Sequence, residues 1–512
     1  MSVPWTIPAA GLAELTRIAE LVALKVKPGD LIALRGDLGA GKTTFARGLI
    51  RALLGDADAE VPSPTFPLVQ TYQTPRLVVA HFDLYRLNGP DDLEEIGFRE
   101  AIDTGLVVVE WPERAEDALP AERLEITLMA GAEPDERTIA ITATGSVQHR
   151  LDRLRQIHAF LYGMDTANPD RIDYLQGDAS ARAYARVVIG GETFVLMDAP
   201  RMPDGPAVLN GRAYSQIAHL AEDVTPFVAI GQALERSGIA VPHIHAADLD
   251  AGLLLLEDLG DLTFGRALNE RHEQAALWLA AVDVLVTLRT KPLPRDLPVP
   301  DGRSYRLPRF DRAALDIEIG LILDWYWPAV KGAPCPPDIR AEFMALWSPV
   351  LDRMLAEPPG LFLRDFHSPN LFWLPDRAAL CSVGVIDFQD ALAEHWAYDL
   401  ASLLQDARVD VVEALEAAGI ERYCAAVAQA EPGFDRAAFM AAYAAFGLQR
   451  NTRLVGLWVR LLQRDAKPHY LQHMARTWDY VARNLRHPAL ASLRDWYDRH
   501  FPETVRRQPI MR

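Results

Sequence analysis

The chain has 512 residues, 50% of them hydrophobic and 24% charged, with a formal net charge of −18. That length exceeds one ordinary core and predicts about three compact units, and the composition excludes a chain dominated by disorder. The acidic balance argues against a broad phosphate-backbone footprint, so any RNA is expected to be held by another protein.

Cys335, Cys381 and Cys424 stand far apart without CxxC spacing, which points to neither a zinc ribbon nor a disulfide framework and suits a reducing, cytoplasmic setting. The N-terminal stretch MSVPWTIPAAGLAELTRIAELVALK is interrupted by Glu14, Arg17 and Glu20 and reads as an amphipathic helix, not a leader. The apolar run Leu277 to Leu288 is short and broken by Asp283, so no membrane association is expected.

In chain order, residues 12 to 24 read as helix, and a Lys27-Pro28-Gly29-Asp30 turn leads into a strand at 31 to 34. A glycine loop and a helix from Thr43 to Leu54 follow. Apolar runs at 77 to 82, 106 to 109, 124 to 129 and 138 to 142 read as strands. These elements predict an α/β P-loop NTPase domain over residues 1–146, with a boundary between 144 and 150 and a new helix from Val147. From 174 to 256 the pattern is strand-rich with a helix near 226 to 237, and beyond 261 it is mainly helical. The prediction is a two-lobed protein-kinase-like α+β domain over 150–512, with a small lobe to about residue 260 and a helical lobe from about 261. PLPRDLPVPDG at 292 to 302 reads as a surface loop.

Gly36-Asp37-Leu38-Gly39-Ala40-Gly41-Lys42-Thr43 fits G-x4-G-K-[ST]. Gly36, Gly39 and Gly41 let backbone N–H groups close around phosphate oxygens, Lys42 reaches the β and γ phosphates, and the Thr43 hydroxyl can ligate Mg²⁺. Thr44, next in the loop, belongs with the nucleotide-binding residues. Asp83 and Glu110 end apolar strands, where a carboxylate can hold Mg²⁺ or orient an attacking water; the alternative for each is a helix cap or surface charge.

GDLGAGKTTFARGL, VPSPTF at 61 to 66, HFDLYRL at 81 to 87 and VVVEWPE at 107 to 113 together resemble the TsaE family. That family is the ATPase subunit of the bacterial machinery making N6-threonylcarbamoyladenosine at tRNA position 37. The resemblance implies a switch-like Ser63 to Phe66 loop with Thr65 as its polar contact near the γ-phosphate. It also implies metal binding by Asp83, and hydrolysis or partner coupling by Glu110 with Trp111. The implied partners are the threonylcarbamoyl-transferase complex subunits, with tRNA contacted only indirectly.

The second phosphate motif is Arg364-Asp365-Phe366-His367-Ser368-Pro369-Asn370. Its D-x4-N spacing suits a kinase catalytic loop: Asp365 accepts the proton of an attacking hydroxyl and Asn370 holds Mg²⁺. Asp387, after the apolar run 383 to 386, is the matching metal-binding carboxylate. His367 reads as a hydrogen bond within the loop or as a direct participant. Upstream, QGDASARAYARVVI at 176 to 189 resembles a phosphate-covering loop with only Gly177, and LLLLEDLG at 253 to 260, containing Glu257, resembles a hinge that meets adenine. Where a phosphate-binding lysine would stand on the third strand there is Met197. Arg182 or Arg186 must then serve, with Arg182 the chosen nucleotide-binding cation, or the domain is a pseudokinase.

These motifs with YDLAS at 398 to 402 resemble the aminoglycoside and choline phosphotransferase superfamily. GDASARAYAR, VLMDAP, LLLEDLG, LRDFHSPNL, GVIDFQDA and QRNTRLVGLWVRL at 449 to 462 resemble more narrowly its AmgK-type amino-sugar kinases. That resemblance implies phosphorylation of the anomeric hydroxyl of N-acetylmuramate or N-acetylglucosamine. Glu318, Asp324 and Trp325 could face the sugar or serve helix packing. The expectation is a bifunctional protein using ATP and Mg²⁺ at both sites. Choline, homoserine or an aminoglycoside are rival acceptors, and a nucleotide-binding scaffold is the non-enzymatic rival.

Overall fold

The computed structural model describes residues 4–9, 11–87, 92–131, 133, 135–164, 167–175, 182–356 and 359–510. The chain divides into two compact units, residues 1–200 with 244–258 and residues 201–243 with 259–512.

The first unit opens with β1 (Trp5–Ala9), α1 (Leu12–Ala23), β2 (Leu31–Arg35) and α2 (Lys42–Leu54). It continues through β3 (Val69–Gln73), β4 (Val78–Asp83), short helices α3 (Asp92–Glu95) and α4 (Phe98–Thr104), β5 (Leu106–Glu110), β6 (Leu124–Ala130) and β7 (Arg137–Ala143). The strands form one sheet in the order β1-β7-β6-β2-β5-β4-β3. β2, β4, β5 and β6 run parallel, and the valine-rich β5 is buried along its whole length, as a central parallel strand covered on both faces must be. The register sets Glu110 opposite both Leu34 and Asp83, so the ends of three strands converge beside the glycine loop.

The N-terminal stretch is not helical throughout. Trp5–Ala9 pairs antiparallel with β7 at the edge of the sheet, where Pro8 is tolerated, and the helix begins only at Leu12.

A single 3-10 turn, Gly145–Val147, separates β7 from α5 (Gln148–Tyr162). Beyond it, β8 (Pro169–Leu175), β9 (Ala183–Ile189) and β10 (Glu192–Asp198) join strands Leu253–Glu257 and Ile244–Asp248 in an antiparallel sheet. This sheet and the P-loop fold share one apolar core: Ile18 and Val22 of α1, Leu49 of α2, Leu154 of α5, Ile172 of β8, Val187 of β9 and Leu255 belong to it. Polar ties reinforce the seam. Glu20 accepts a hydrogen bond from the Ile172 N–H at 2.9 Å, Arg150 donates to Asp30 at 2.6 Å, and Asp198 takes both Arg153 at 2.6 Å and Lys25. The Arg76 guanidinium lies 4.0 Å from the Tyr174 ring centroid.

The second unit is mainly helical, dominated by the 28-residue helix Arg436–Gln463. A Cβ at Gly456 would lie 2.3 Å from the Leu321 carbonyl carbon, so glycine is what lets this helix approach the π-helical turn Ile322–Tyr326 so closely. Two short hairpin-like pairs, Leu371–Trp373 with Val383–Val385 and Gly360–Phe362 with Leu392–Glu394, frame the second phosphate motif. The 292 to 302 segment, expected as a surface loop, contains a strand, Asp296–Pro298, paired with Ser304–Arg306, because Leu297 and Val299 are buried. Among the described residues no helix is long and apolar enough to cross a membrane.

Candidate active sites

The glycine loop connects β2 to α2. Gly36, Gly39 and Gly41 all have positive φ, and a Cβ at Gly36 would sit 2.4 Å from the Leu128 carbonyl oxygen. Lys42 Nζ donates to the carbonyls of Gly36 at 2.7 Å and Asp37 at 2.9 Å, and lies 3.5 Å from the Trp111 ring centroid. Burial depresses the Lys42 pKa, opposed by the charges of Glu110, Glu113, Asp83 and Asp37. Trp111 reaches this position with φ +60, a left-handed conformation costly for a bulky residue and concentrated at functional sites.

The two strand-end carboxylates have different neighbours. Thr43 Oγ1 donates to Glu110 Oε2 at 2.9 Å, and the other Glu110 oxygen meets His81 Nε2 at 2.9 Å. Asp83 Oδ2 accepts from Thr65 Oγ1 at 2.9 Å and Ser63 Oγ at 3.1 Å, tying the SPTF segment to β4. Sequence reasoning missed His81. Its signal was period 2, since His81 and Asp83 point to the same face of β4.

In the second unit, the segment Leu363 to Asn370 is held by buried carboxylates. Asp399 accepts from the Leu363 N–H at 2.5 Å and the Arg364 N–H at 3.0 Å, while Asp406 accepts from the Ser368 N–H at 2.7 Å. Burial, and then the charge of Asp365, raise the Asp399 pKa to about 7 against those two N–H groups. Asn370 Nδ2 donates to the Asp365 carbonyl at 2.9 Å and lies 3.3 Å from Asp387 Oδ2, and Gln389 donates to the other Asp387 oxygen at 2.8 Å. Arg364 and Asp387 have φ of +71 and +61, so both ends of the constellation are strained.

The charges of several arginines reach the Asp365 carboxyl. Burial raises its pKa, but His367 and then Arg453, Arg364 and Arg450 outweigh burial and bring it down to about 2. Burial and the nearby Arg408 hold His367 well below the ordinary histidine range, so it is neutral at pH 7 and the arginines carry the effect there. His367 Nε2 lies 3.8 Å from Asp365 Oδ1 and 3.4 Å from Arg408.

Glu318, expected among possible sugar contacts, is fully buried. Arg364 donates to it at 2.6 Å, Gln449 at 2.9 Å, and Arg453 approaches to 3.7 Å, so its charge is consumed in holding arginines beside the loop. Asp324 pairs with Arg340 on the surface. Asp399, within the YDLAS motif, anchors this segment, a role the sequence left unassigned.

Met197 is fully buried between Tyr184 and Leu254 in the sheet, a core side chain. Arg186, on the neighbouring strand, donates to Asp258 Oδ2 at 2.5 Å. Arg182 immediately precedes β9, and Glu257 ends its strand opposite Phe194. Residues 176–181, the start of the expected phosphate-covering loop with Gly177, lie outside the described residues.

The family model described as threonylcarbamoyl adenosine biosynthesis protein TsaE matches residues 10–139, and that of the phosphotransferase enzyme family matches residues 171–440. The N-acetylmuramate/N-acetylglucosamine kinase of Caulobacter vibrioides is 38% identical over 346 residues, covering 66% of this chain and 94% of that protein. Its namesake from Pseudomonas putida is 32% identical over 319 residues, 62% of this chain and 84% of that one. The tRNA threonylcarbamoyladenosine biosynthesis protein TsaE of Rickettsia felis is 36% identical over 152 residues, 30% of this chain and 88% of that protein.

Proposed function

The chain belongs to the phosphotransferase enzyme family and, through its N-terminal domain, to the TsaE family, and from that premise we propose a bifunctional cytoplasmic enzyme. Its first activity is ATP hydrolysis in support of tRNA threonylcarbamoylation. Its second is transfer of the γ-phosphate of ATP to the anomeric hydroxyl of N-acetylmuramate or N-acetylglucosamine in cell-wall recycling.

The observation that carries the acceptor assignment is the arginine-rich surround of Asp365. A quaternary ammonium or polycationic aminoglycoside would bring positive charge to a carboxyl on which the charges of Arg453, Arg364 and Arg450 already act, beside a histidine that the site keeps neutral. A neutral or anionic sugar meets no such repulsion. Asp365, ionised throughout the physiological range, accepts a hydrogen bond from the attacking hydroxyl and aims it. With its pKa at about 2 it is a weak base, so it takes the proton late, as a loose phosphoryl-transfer transition state allows. The strained backbone at Arg364 and the Asp399 anchor keep the loop preorganised for that alignment.

Asn370 Nδ2 lies 3.3 Å from Asp387 Oδ2, and the Asn370 amide oxygen with the Asp387 carboxylate would form a hard oxygen donor pair suited to Mg²⁺, which commonly takes one or two carboxylates plus phosphate oxygens. When bound there, the ion neutralises charge on the transferring phosphates. At the glycine loop, Thr43 and Asp83 are the corresponding pair. Glu110, in contact with Thr43 and steadied by His81, is placed to orient the attacking water. The exposed Phe66 and Leu38 near this site suit contact with threonylcarbamoyl-transferase subunits, which would carry the tRNA.

A substrate panel with the intact chain tests the acceptor. ATP-dependent phosphorylation of the two amino sugars at C1 is expected; turnover of choline or kanamycin in their place overturns the assignment. For the first activity, cells whose only copy carries Lys42→Ala are expected to lose the tRNA modification, and normal modification would refute the role.

A further inference from the structure

Arg450 is 2% exposed, yet its guanidinium makes no hydrogen bond, ion pair or ring contact with any described residue, and its Nε and one terminal nitrogen are buried without a partner. An unpaired guanidinium out of water is among the costliest groups a fold can hold, and a native structure that keeps one calls for a reason. Its neighbours on the helix Arg436–Gln463 are committed. Gln449 donates to Glu318, while Arg453 approaches Glu318 and donates to the Tyr398 hydroxyl at 3.4 Å. Glu318 already serves Arg364, and although the charges of Asp365 and Asp406 reach Arg450, neither carboxylate forms an ion pair with it.

Its position narrows the ligand. Gln449 and Arg453, one residue before it and three after it on the same helix, both reach Glu318, which also holds Arg364, so Arg450 lies on the stretch of helix beside Asp365, the group that must touch the acceptor hydroxyl. The Asn370 and Asp387 pair meets Asp365 at its main-chain carbonyl, through Asn370 Nδ2. An anion beside Arg450 then belongs to the acceptor that the Asp365 carboxyl touches, and an anion on the nucleotide is the alternative that the test separates. Of the two sugars in the reading above, N-acetylmuramate carries a carboxylate on its lactyl ether and N-acetylglucosamine has none. Resting on that reading, we propose that Arg450 is the specificity-determining residue that binds the acceptor's carboxylate and so separates the anionic sugar from the neutral one.

A double cycle on the full-length chain tests this. Wild type and Arg450→Met are assayed with N-acetylmuramate, its methyl ester and N-acetylglucosamine. The ratio of kcat/KM for the acid over N-acetylglucosamine is expected to fall about ten- to a hundredfold in the variant, the factor that one charge-assisted contact supplies. In wild type, esterification is expected to raise KM by a similar factor, whereas the variant should not distinguish acid from ester. An unchanged ratio overturns the proposal, as does a raised KM for ATP with the acceptor ratio intact, which would move Arg450 to the phosphates. If Arg450→Met fails to fold, the wild-type comparison still decides, because equal KM values for acid and ester overturn it. Wild type that turns over neither sugar refutes the acceptor reading itself, an outcome separate from turnover of both with no charge discrimination.

Discussion

The two phosphate sites are near inversions of each other. At the glycine loop the cation Lys42 lies within the influence of Glu110, Glu113, Asp83 and Asp37. At the second site a single reactive carboxylate, Asp365, lies within that of Arg364, Arg450 and Arg453. The difference follows from what the backbone supplies. A glycine loop entering a helix presents N–H groups to phosphate, so its side chains are free to be acidic and to manage metal and water. The Asp365 segment has its N–H groups at Leu363, Arg364 and Ser368 consumed by Asp399 and Asp406, so positive charge there has to come from side chains.

Four substitutions probe how independent these opposite solutions are. Asp365→Asn should lower amino-sugar phosphorylation by about 10²- to 10⁴-fold, the range of general-base catalysis, and leave hydrolysis at the glycine loop unchanged in a steady-state ATPase assay. Lys42→Ala should lower ATP hydrolysis by about 10²- to 10³-fold, as loss of one charge-stabilising donor does, and leave sugar phosphorylation intact. A loss that crosses from one site to the other in either variant would break the comparison.

The next two concern carboxylates away from the chemistry, one unpaired and one paired. Glu394 is fully buried with neither oxygen hydrogen-bonded among the described residues, and burial, opposed by Arg309, raises its pKa from 4.5 to about 8. A raised pKa means the folded form holds the proton more tightly, so stability falls as pH climbs from about 4.5 to 8 and levels above. Glu394→Gln, which mimics the neutral acid, should gain on wild type by a few kcal/mol across that window in denaturant melts; a pH-independent difference would show that Glu394 is ionised in the fold. Asp198, by contrast, is paired with Arg153 and Lys25, and Asp198→Asn should cost the first unit about 1–3 kcal/mol at neutral pH.

Legibility in the sequence followed the locality of the interactions. The glycine loop, its strand and its helix are contiguous, and the carboxylates at 83 and 110 end strands whose parallel register brings them together, so this juxtaposition was legible in the sequence. Trp5–Ala9 could not, because its strand character comes from pairing with residues 137–141, more than a hundred positions away. The Asp365, Asn370 and Asp387 set was legible through spacing. Arg450 was not, since Gln449, Arg450, Asn451 and Thr452 form a polar run inside a buried stretch of helix, and no periodicity says which of four buried polar side chains lacks a partner. Glu318 failed for the opposite reason: an acidic residue in a helix carries no sign that two arginines from distant segments will claim it.

The shared core of the first unit also bears on how the chain is made. A ribosome delivers the P-loop strands first, yet the apolar core to which α1 and α2 contribute is complete only when Leu253 and Leu255 have emerged. In between, residues 201–243 must be set aside for a unit whose remaining residues begin at 259. The nascent protein thus carries an uncovered seam through roughly a hundred residues of synthesis, a window in which chaperone capture or premature termination would meet a finished sheet with an unfinished side.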